Sequence, residues 1–176
     1  MIRTTKIETP LGMMIAGASD KGICLLEYAE GNRSVDELKD LETLLSDNSA
    51  EGNNIHLRQL KKELGEYFKG KRKSFSVKLL MPGSAFNISV WNELLKIPFG
   101  STVSYINQAE ALGNPKAVRA VANANGKNRI AIVIPCHRVI GSGGELTGYG
   151  GGLTRKKWLL EHERKFSGQP IEQSLF

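Results

Sequence analysis

Ile130-Ala131-Ile132-Val133-Ile134-Pro135-Cys136-His137-Arg138-Val139 is an apolar run stopped by a proline and followed at once by a thiol, an imidazole and a guanidinium. An unalternating apolar run predicts a buried strand, and Pro135 ends it because proline cannot donate to a ladder. A cysteine just past such a strand is held rigidly yet can open onto a pocket, as a nucleophile must. A free thiol is only slightly ionised at neutral pH, so it needs a base or a cation nearby. His137 is the candidate base. Adjacent residues seldom face each other, so a bridging water is the expected link. Glu163 is the acid that can orient and balance the imidazole, as in a triad. Taken alone, the pair also fits a buried, inert cysteine beside a satisfied histidine.

Downstream lie Val139 and Ile140, a glycine turn at Gly141 to Gly144, and the loop Thr147-Gly148-Tyr149-Gly150-Gly151-Gly152. Thr154 is the expected cap of a last helix carrying Trp158, Leu159, His162 and Glu163. Upstream, Ser84 caps a helix with Phe86, Val90, Trp91, Leu94 and Leu95 on its apolar side, and Pro98-Phe99-Gly100 ends it. Ser104 caps Tyr105 to Leu112, which stops at Gly113. Asn114 then caps a helix from Pro115 to Asn125, with Ala117, Ala120, Val121 and Ala124 along one side. Two helices joined by a short turn are the helix-turn-helix pattern of DNA-binding domains. Arg119 is a long cation on a helix made largely of small residues, placed to reach into DNA.

The first half has a different texture. Lys6 to Tyr28 reads as strands, with Met13 to Ala16 and Ile23 to Leu26 joined by a turn at Ser19-Asp20-Lys21-Gly22. Cys24, inside the second run, reads as a small buried hydrophobe. Val35, Leu38, Leu41, Leu44 and Leu45 recur at helical spacing, as do Leu57, Leu60, Leu64 and Phe68, with a loop from Ser46 to Asn54 between. The basic run Lys69 to Lys73 reads as a solvated loop after a helix. Met81-Pro82-Gly83-Ser84 is the linker. The expectation is α+β, with an N-terminal α/β supporting domain over residues 1–80, a C-terminal domain over 84–165 and a polar tail over 166–176.

The 176 residues carry 24 basic and 18 acidic side chains, a net charge of +6, which suits a polyanionic partner such as DNA. No apolar run is long enough to span a bilayer, and Met1 to Asp20 has no secretory signal, so a cytoplasmic protein with reduced thiols is expected. The two cysteines and three histidines lack metal-ligand spacing, so no metal is expected.

Together these motifs resemble the active-site and DNA-binding segments of the O6-alkylguanine-DNA alkyltransferases. Pro135 to Val139 after an Ile-rich run resembles the family's active-site signature. Gly113-Asn114-Pro115-Lys116-Ala117-Val118-Arg119-Ala120-Val121 resembles its recognition helix, and Gly151-Gly152-Leu153 with Trp158 to Glu163 its closing segment. The likeness is strong from Ser84 to Glu163 and weaker before. It implies a ribonuclease H-like N-terminal domain packed on a helical domain with a winged-helix-like motif. It also implies single-turnover transfer of an alkyl group from O6-alkylguanine, and from O4-methylthymine, in double-stranded DNA onto Cys136, by a monomer without cofactor.

The resemblance further implies roles. Cys136 is the acceptor, His137 the base through water, and Glu163 completes the relay. Asn128 is a hinge between recognition helix and active site. Arg119 fills the space left by the flipped base, with Asn114, Lys116 and Ala120 at the DNA beside it. Tyr105 sits at the backbone by the flipped nucleotide and assists proton donation. Pro135, Val139, Tyr149 and Gly150 form the pocket, with the main chain of Cys136 and Val139 accepting from the guanine amino group and the Gly150 N–H facing its oxygen. Gly150 stands where some members carry a hydroxyl residue, and Ala131 where some carry proline, which suggests a roomier pocket.

Other classes fit less well. A non-catalytic reader of alkylated DNA with this fold would lack Cys136. A helix-turn-helix regulator needs base-reading side chains where Val118, Ala122 and Ala124 stand. A cysteine hydrolase needs an oxyanion arrangement that no motif supplies.

Overall fold

The computed structural model describes residues 1–168. Residues 169–176 of the expected tail lie outside the described residues, and Phe166 closes the last helix rather than opening a tail. The chain forms two compact units: Met1–Pro82 with Arg129–Ala131, and Gly83–Asn128 with the chain from Ile132 onward. Three residues inside the expected 84–165 domain thus belong with the first unit.

In the first unit, β1 (Ile2–Thr9), β2 (Gly12–Ser19) and β3 (Gly22–Tyr28) form an antiparallel meander, followed by α1 (Arg33–Leu45), β4 (Ser49–Glu51) and α2 (Ile55–Phe68). The sheet order is β3-β2-β1-β4, with β4 parallel to β1. β4 corrects the expected loop at 46–54: Ser49-Ala50-Glu51 is short and carries no apolar alternation to signal a strand. β3 is buried at every position, and its outer edge is met by bridges from Ile23 to Leu79 and from Leu26 to Ile130. That burial explains a run that does not alternate. Gly22 closes the hairpin at φ +142°, and a Cβ there would come within 2.6 Å of the Lys78 carbonyl. Cys24 is fully buried against Ile2, Leu25 and Leu41, and burial pushes its thiol up to about 11. It is a core residue.

Arg129 anchors the returning segment. Its Nε pairs with Glu37 at 2.6 Å and its NH1 donates to the Pro82 carbonyl at 3.2 Å. The basic run at 69–73 is partly structural, since Arg72 Nε donates to Glu66 at 2.6 Å.

The second unit contains α3 (Ala85–Leu94), β5 (Val103–Ser104), α4 (Tyr105–Ala111), α5 (Val118–Gly126), a 3-10 turn (Cys136–Arg138), β6 (Val139–Ile140) and α6 (Leu153–Phe166). Ser84 and Ser104 cap α3 and α4, accepting from Asn87 N at 3.2 Å and Asn107 N at 3.0 Å. Val90, Ala109, Val121 and Ala124 form the seam of α3, α4 and α5, and the Trp91 indole donates to Ala124 O at 2.9 Å. Phe86 and Leu95, expected on the apolar side of α3, are exposed.

α5 differs from its expected form. It starts at Val118 behind Ala117, with no side-chain cap, while Asn114 O accepts from Ala117 N in a preceding turn. Ala120 is exposed with Arg119, while Ala117, Val121 and Ala124 face inward. Thr154 likewise does not cap α6, whose N-cap is Gly152 at φ +87°. Gln108 and Asn125, both buried, exchange side-chain amide bonds of 3.0 and 2.7 Å across α4 and α5. Gln108→Ala leaves the Asn125 amide unpaired in the core and is expected to cost about 1–3 kcal/mol in urea unfolding.

The expected strand at 130–134 is absent. Ile130 makes its single bridge to Leu26, Ala131 N donates to Leu26 O at 2.9 Å, and the chain then turns, with Ile132 at φ +72°. A β-branched residue in the left-handed region is strained and persists only where its surroundings hold it. Ile132 is fully buried.

Candidate active site

The turn after Ile132 delivers Cys136 to the start of the 3-10 turn, where its N–H donates back to Ile134 O at 2.8 Å. Cys136 is half-buried. Its Sγ accepts from Asn128 Nδ2 at 3.3 Å, and the same amide donates to Ile134 O at 2.8 Å. Asn128 follows directly on α5's last turn, its N–H bonded to Asn125 O at 3.2 Å. One buried amide therefore joins the exit of α5 to the thiol and to the turn beneath it.

His137 is wholly buried and its Nε2 lies 2.7 Å from Glu163 Oε1. Glu163 also accepts from Arg138 Nε at 2.8 Å, Arg138 NH2 at 2.9 Å and the Gly100 N–H at 3.2 Å. Arg138 is held in turn by Ile97 O at 2.6 Å and lies over the Phe99 ring. Burial alone would raise the Glu163 carboxyl, but His137 and Arg138 overcome it and hold Glu163 well below the usual carboxylate range. Burial also pulls the His137 imidazole below its ordinary value, with Glu163 opposing. Arg138, a permanent cation, accounts for an ionised Glu163 beside a neutral imidazole. The ionised acceptor fixes the Nε2–H tautomer and leaves the Nδ1 lone pair unused, and Nδ1 is a buried atom with no hydrogen-bond partner. A buried polar nitrogen of this kind calls for water.

The Tyr105 hydroxyl donates to Thr147 O at 3.0 Å. Burial, with Cys136 adding to it, raises the phenol above its ordinary value, so it keeps its proton. Gly148 takes φ +52°, and a Cβ there would touch the Tyr105 hydroxyl at 3.6 Å, which favours glycine in the loop. Tyr149 is half-buried and Gly150 exposed, while Pro135 and Val139 are buried. The Val139 carbonyl already accepts from Lys156 Nζ at 2.6 Å. Arg119, Ala120, Asn114 and Lys116 are all exposed, on α5 and the turn before it.

Two residues here were missed from the sequence. Arg138 stood in the quoted motif, and a guanidinium inside an apolar stretch signals a buried ionic partner. Lys156 lies seven residues before Glu163, and that shared helix face was the available signal.

The fold and site define a two-unit protein in which a half-buried cysteine, backed by a histidine and an ionised glutamate, shares a unit with a helix-turn-helix. Known proteins narrow this further. Residues 2–81 match the ribonuclease-like domain, and residues 85–165 the DNA binding domain, of 6-O-methylguanine DNA methyltransferase. A methylated-DNA–protein-cysteine methyltransferase of Methanosarcina acetivorans is 41% identical over 156 residues, covering 89% of this chain and 94% of its own. The constitutive one of Bacillus subtilis is 42% identical over 166 residues, covering 91% and 94%. The structure of Mycobacterium tuberculosis OGT in complex with DNA aligns with TM-score 0.79 and 37% identity, over 94% of this chain and 93% of that one. The chain belongs to the 6-O-methylguanine DNA methyltransferase family.

Proposed function

We propose that the protein repairs O6-alkylated guanine in double-stranded DNA by moving the alkyl group onto Cys136, once per molecule and without a cofactor. The observation that carries this reading is a half-buried thiol beside a neutral imidazole whose Nδ1 is free to accept, its Nε2 fixed by Glu163. Through a water, His137 takes the thiol proton. The Cys136 sulfur attacks the alkyl carbon, the S–C bond forms as the C–O6 bond breaks, and the electron pair returns to the guanine ring. Tyr105 gives the ring a proton and regains one from solvent, to which His137 releases its own. A thioether has no easy route back to a thiol, so each molecule acts once.

The reacting carbon lies inside stacked DNA, so the nucleotide must be turned out, at a cost of a few kcal/mol. Arg119, exposed on α5, occupies the vacated space, with Asn114, Lys116 and Ala120 against the DNA beside it. Ala120 lets the helix approach closely. Pro135, Val139, Tyr149 and Gly150 wall the pocket, the Val139 carbonyl accepts from the guanine amino group, and the Gly150 N–H meets its oxygen. O4-methylthymine is a second substrate on the same chemistry. The protein acts as a monomer in the cytoplasm; no helix among the described residues is long and apolar enough to cross a membrane.

The test reads the DNA. A duplex whose restriction site is blocked by one O6-methylguanine should become cleavable after incubation with the protein and stay blocked with Cys136→Ala. Repair by Cys136→Ala would exclude Cys136 as acceptor. The pH dependence follows from the lowered imidazole. Folded His137 gains its proton only below the ordinary range, so the single-turnover rate should hold level down to roughly pH 6.5 and fall below it. An acid limb centred above that value in a rate–pH series would contradict the role given to His137.

A further inference from the structure

Lys156 is wholly buried on α6, seven residues before Glu163, and the mechanism above gives it nothing to do. Its Nζ donates to Val139 O at 2.6 Å and Thr147 O at 2.7 Å, with Gly148 O at 3.5 Å. The strand end and the pocket loop thus take up the hydrogens of one ammonium. Thr147 O is also the acceptor of the Tyr105 hydroxyl, and Nζ lies 5.8 Å from the Tyr105 ring centre. All three acceptors are neutral. A buried cation with only neutral acceptors is costly, and an anion forming beside it offsets that cost. Val139, whose carbonyl takes the shortest of these bonds, directly follows the 3-10 turn that opens at Cys136, and burial pulls Lys156 down to about 8 against the opposing influence of Cys136. The same ammonium helps keep His137 neutral.

We propose that Lys156 is a positioning residue for alkyl transfer: it ties the pocket loop at Thr147 and Gly148 to the end of β6, sets the Tyr105 hydroxyl through Thr147, and supplies the positive charge that stabilises the Cys136 thiolate. It donates no proton in the reaction. The inference rests on the alkyltransferase reading, and the test separates the two.

Wild type, Lys156→Met and Lys156→Arg are compared in two assays. The first follows iodoacetamide labelling of Cys136 against pH by peptide mass; the second follows single-turnover transfer from an O6-methylguanine duplex across DNA concentrations. Lys156→Met should raise the midpoint of Cys136 labelling by about one pH unit or more. It should slow transfer at saturating DNA roughly a hundredfold, with half-saturation little changed. Lys156→Arg should restore the labelling midpoint but not the full transfer rate, since a planar guanidinium cannot replace the compact ammonium among these carbonyls. A labelling profile unchanged in Lys156→Met, or unchanged transfer at saturation, overturns the proposal. If Lys156→Met does not fold, wild type alone decides: its transfer rate should decline above about pH 8 as the ammonium is lost, and a plateau to pH 10 overturns it. Wild type that labels normally but transfers nothing would instead sink the alkyltransferase reading.

Discussion

Glu163→Ala is expected to lose about 3–5 kcal/mol of stability, the cost of removing one partner from a buried charged pair. The carboxylate is fully buried and accepts from His137, two of the three Arg138 guanidinium nitrogens and the Gly100 N–H. Its loss leaves the Arg138 guanidinium buried with only the Ile97 carbonyl among these partners. Urea unfolding at pH 7 reads the loss directly. The carboxylate's contribution is present above the ordinary glutamate range and is lost as pH falls towards the depressed folded value. The gap between wild type and variant should therefore narrow in strong acid. Glu163→Gln keeps the shape and separates the two functions. It should fold more stably than Glu163→Ala, yet slow transfer roughly a hundredfold or more, because an amide orients the imidazole without balancing its charge. A Glu163→Ala protein as stable as wild type would contradict the buried network.

Arg119→Ala should leave the fold intact and cripple repair of duplex DNA. The side chain is exposed on α5 and makes no hydrogen bond or ion pair among the described residues, so its removal costs no folded-state contact. If it fills the place of the extruded nucleotide, its loss withdraws about 2–3 kcal/mol of the flipping cost it offsets, roughly 30- to 160-fold in rate. Lesions in single strands, which need no filler, should react nearly as before. The comparison is single-turnover transfer on matched duplex and single-stranded oligonucleotides. Equal losses on both substrates would show that Arg119 acts by charge alone.

What the sequence revealed, and what it hid, divides along physical lines. Ser84 and Ser104 are read correctly because a side chain that caps a helix leaves a local signature. The Ile-rich run before Pro135 is read correctly as buried and wrongly as a strand. Apolar content reports burial, whereas the backbone there is decided by the single bridge at Ile130 and the left-handed Ile132. Asn114 and Pro115 have the composition of a helix start, but the main chain spends Asn114 O on a turn, and the helix begins at Val118. Ala120 lies at the edge of the apolar face, where spacing alone does not separate inward from outward, and it is exposed. At the site, Cys136, His137 and Glu163 stand out by chemistry, and the structure brings His137 and Glu163 into contact. Lys156 did not stand out, because a lysine in an amphipathic helix is ordinarily solvated, and only its neighbours reveal it as buried.

The central claim is that an alkyl group moves from DNA to one named sulfur. Intact mass followed by peptide mapping, after incubation with excess duplex carrying one O6-methylguanine, tests it most directly. A gain of one methyl per molecule is expected, located on Cys136 and not exceeded with more DNA. A protein that binds the lesion and keeps its original mass, or carries the methyl on another residue, would contradict it.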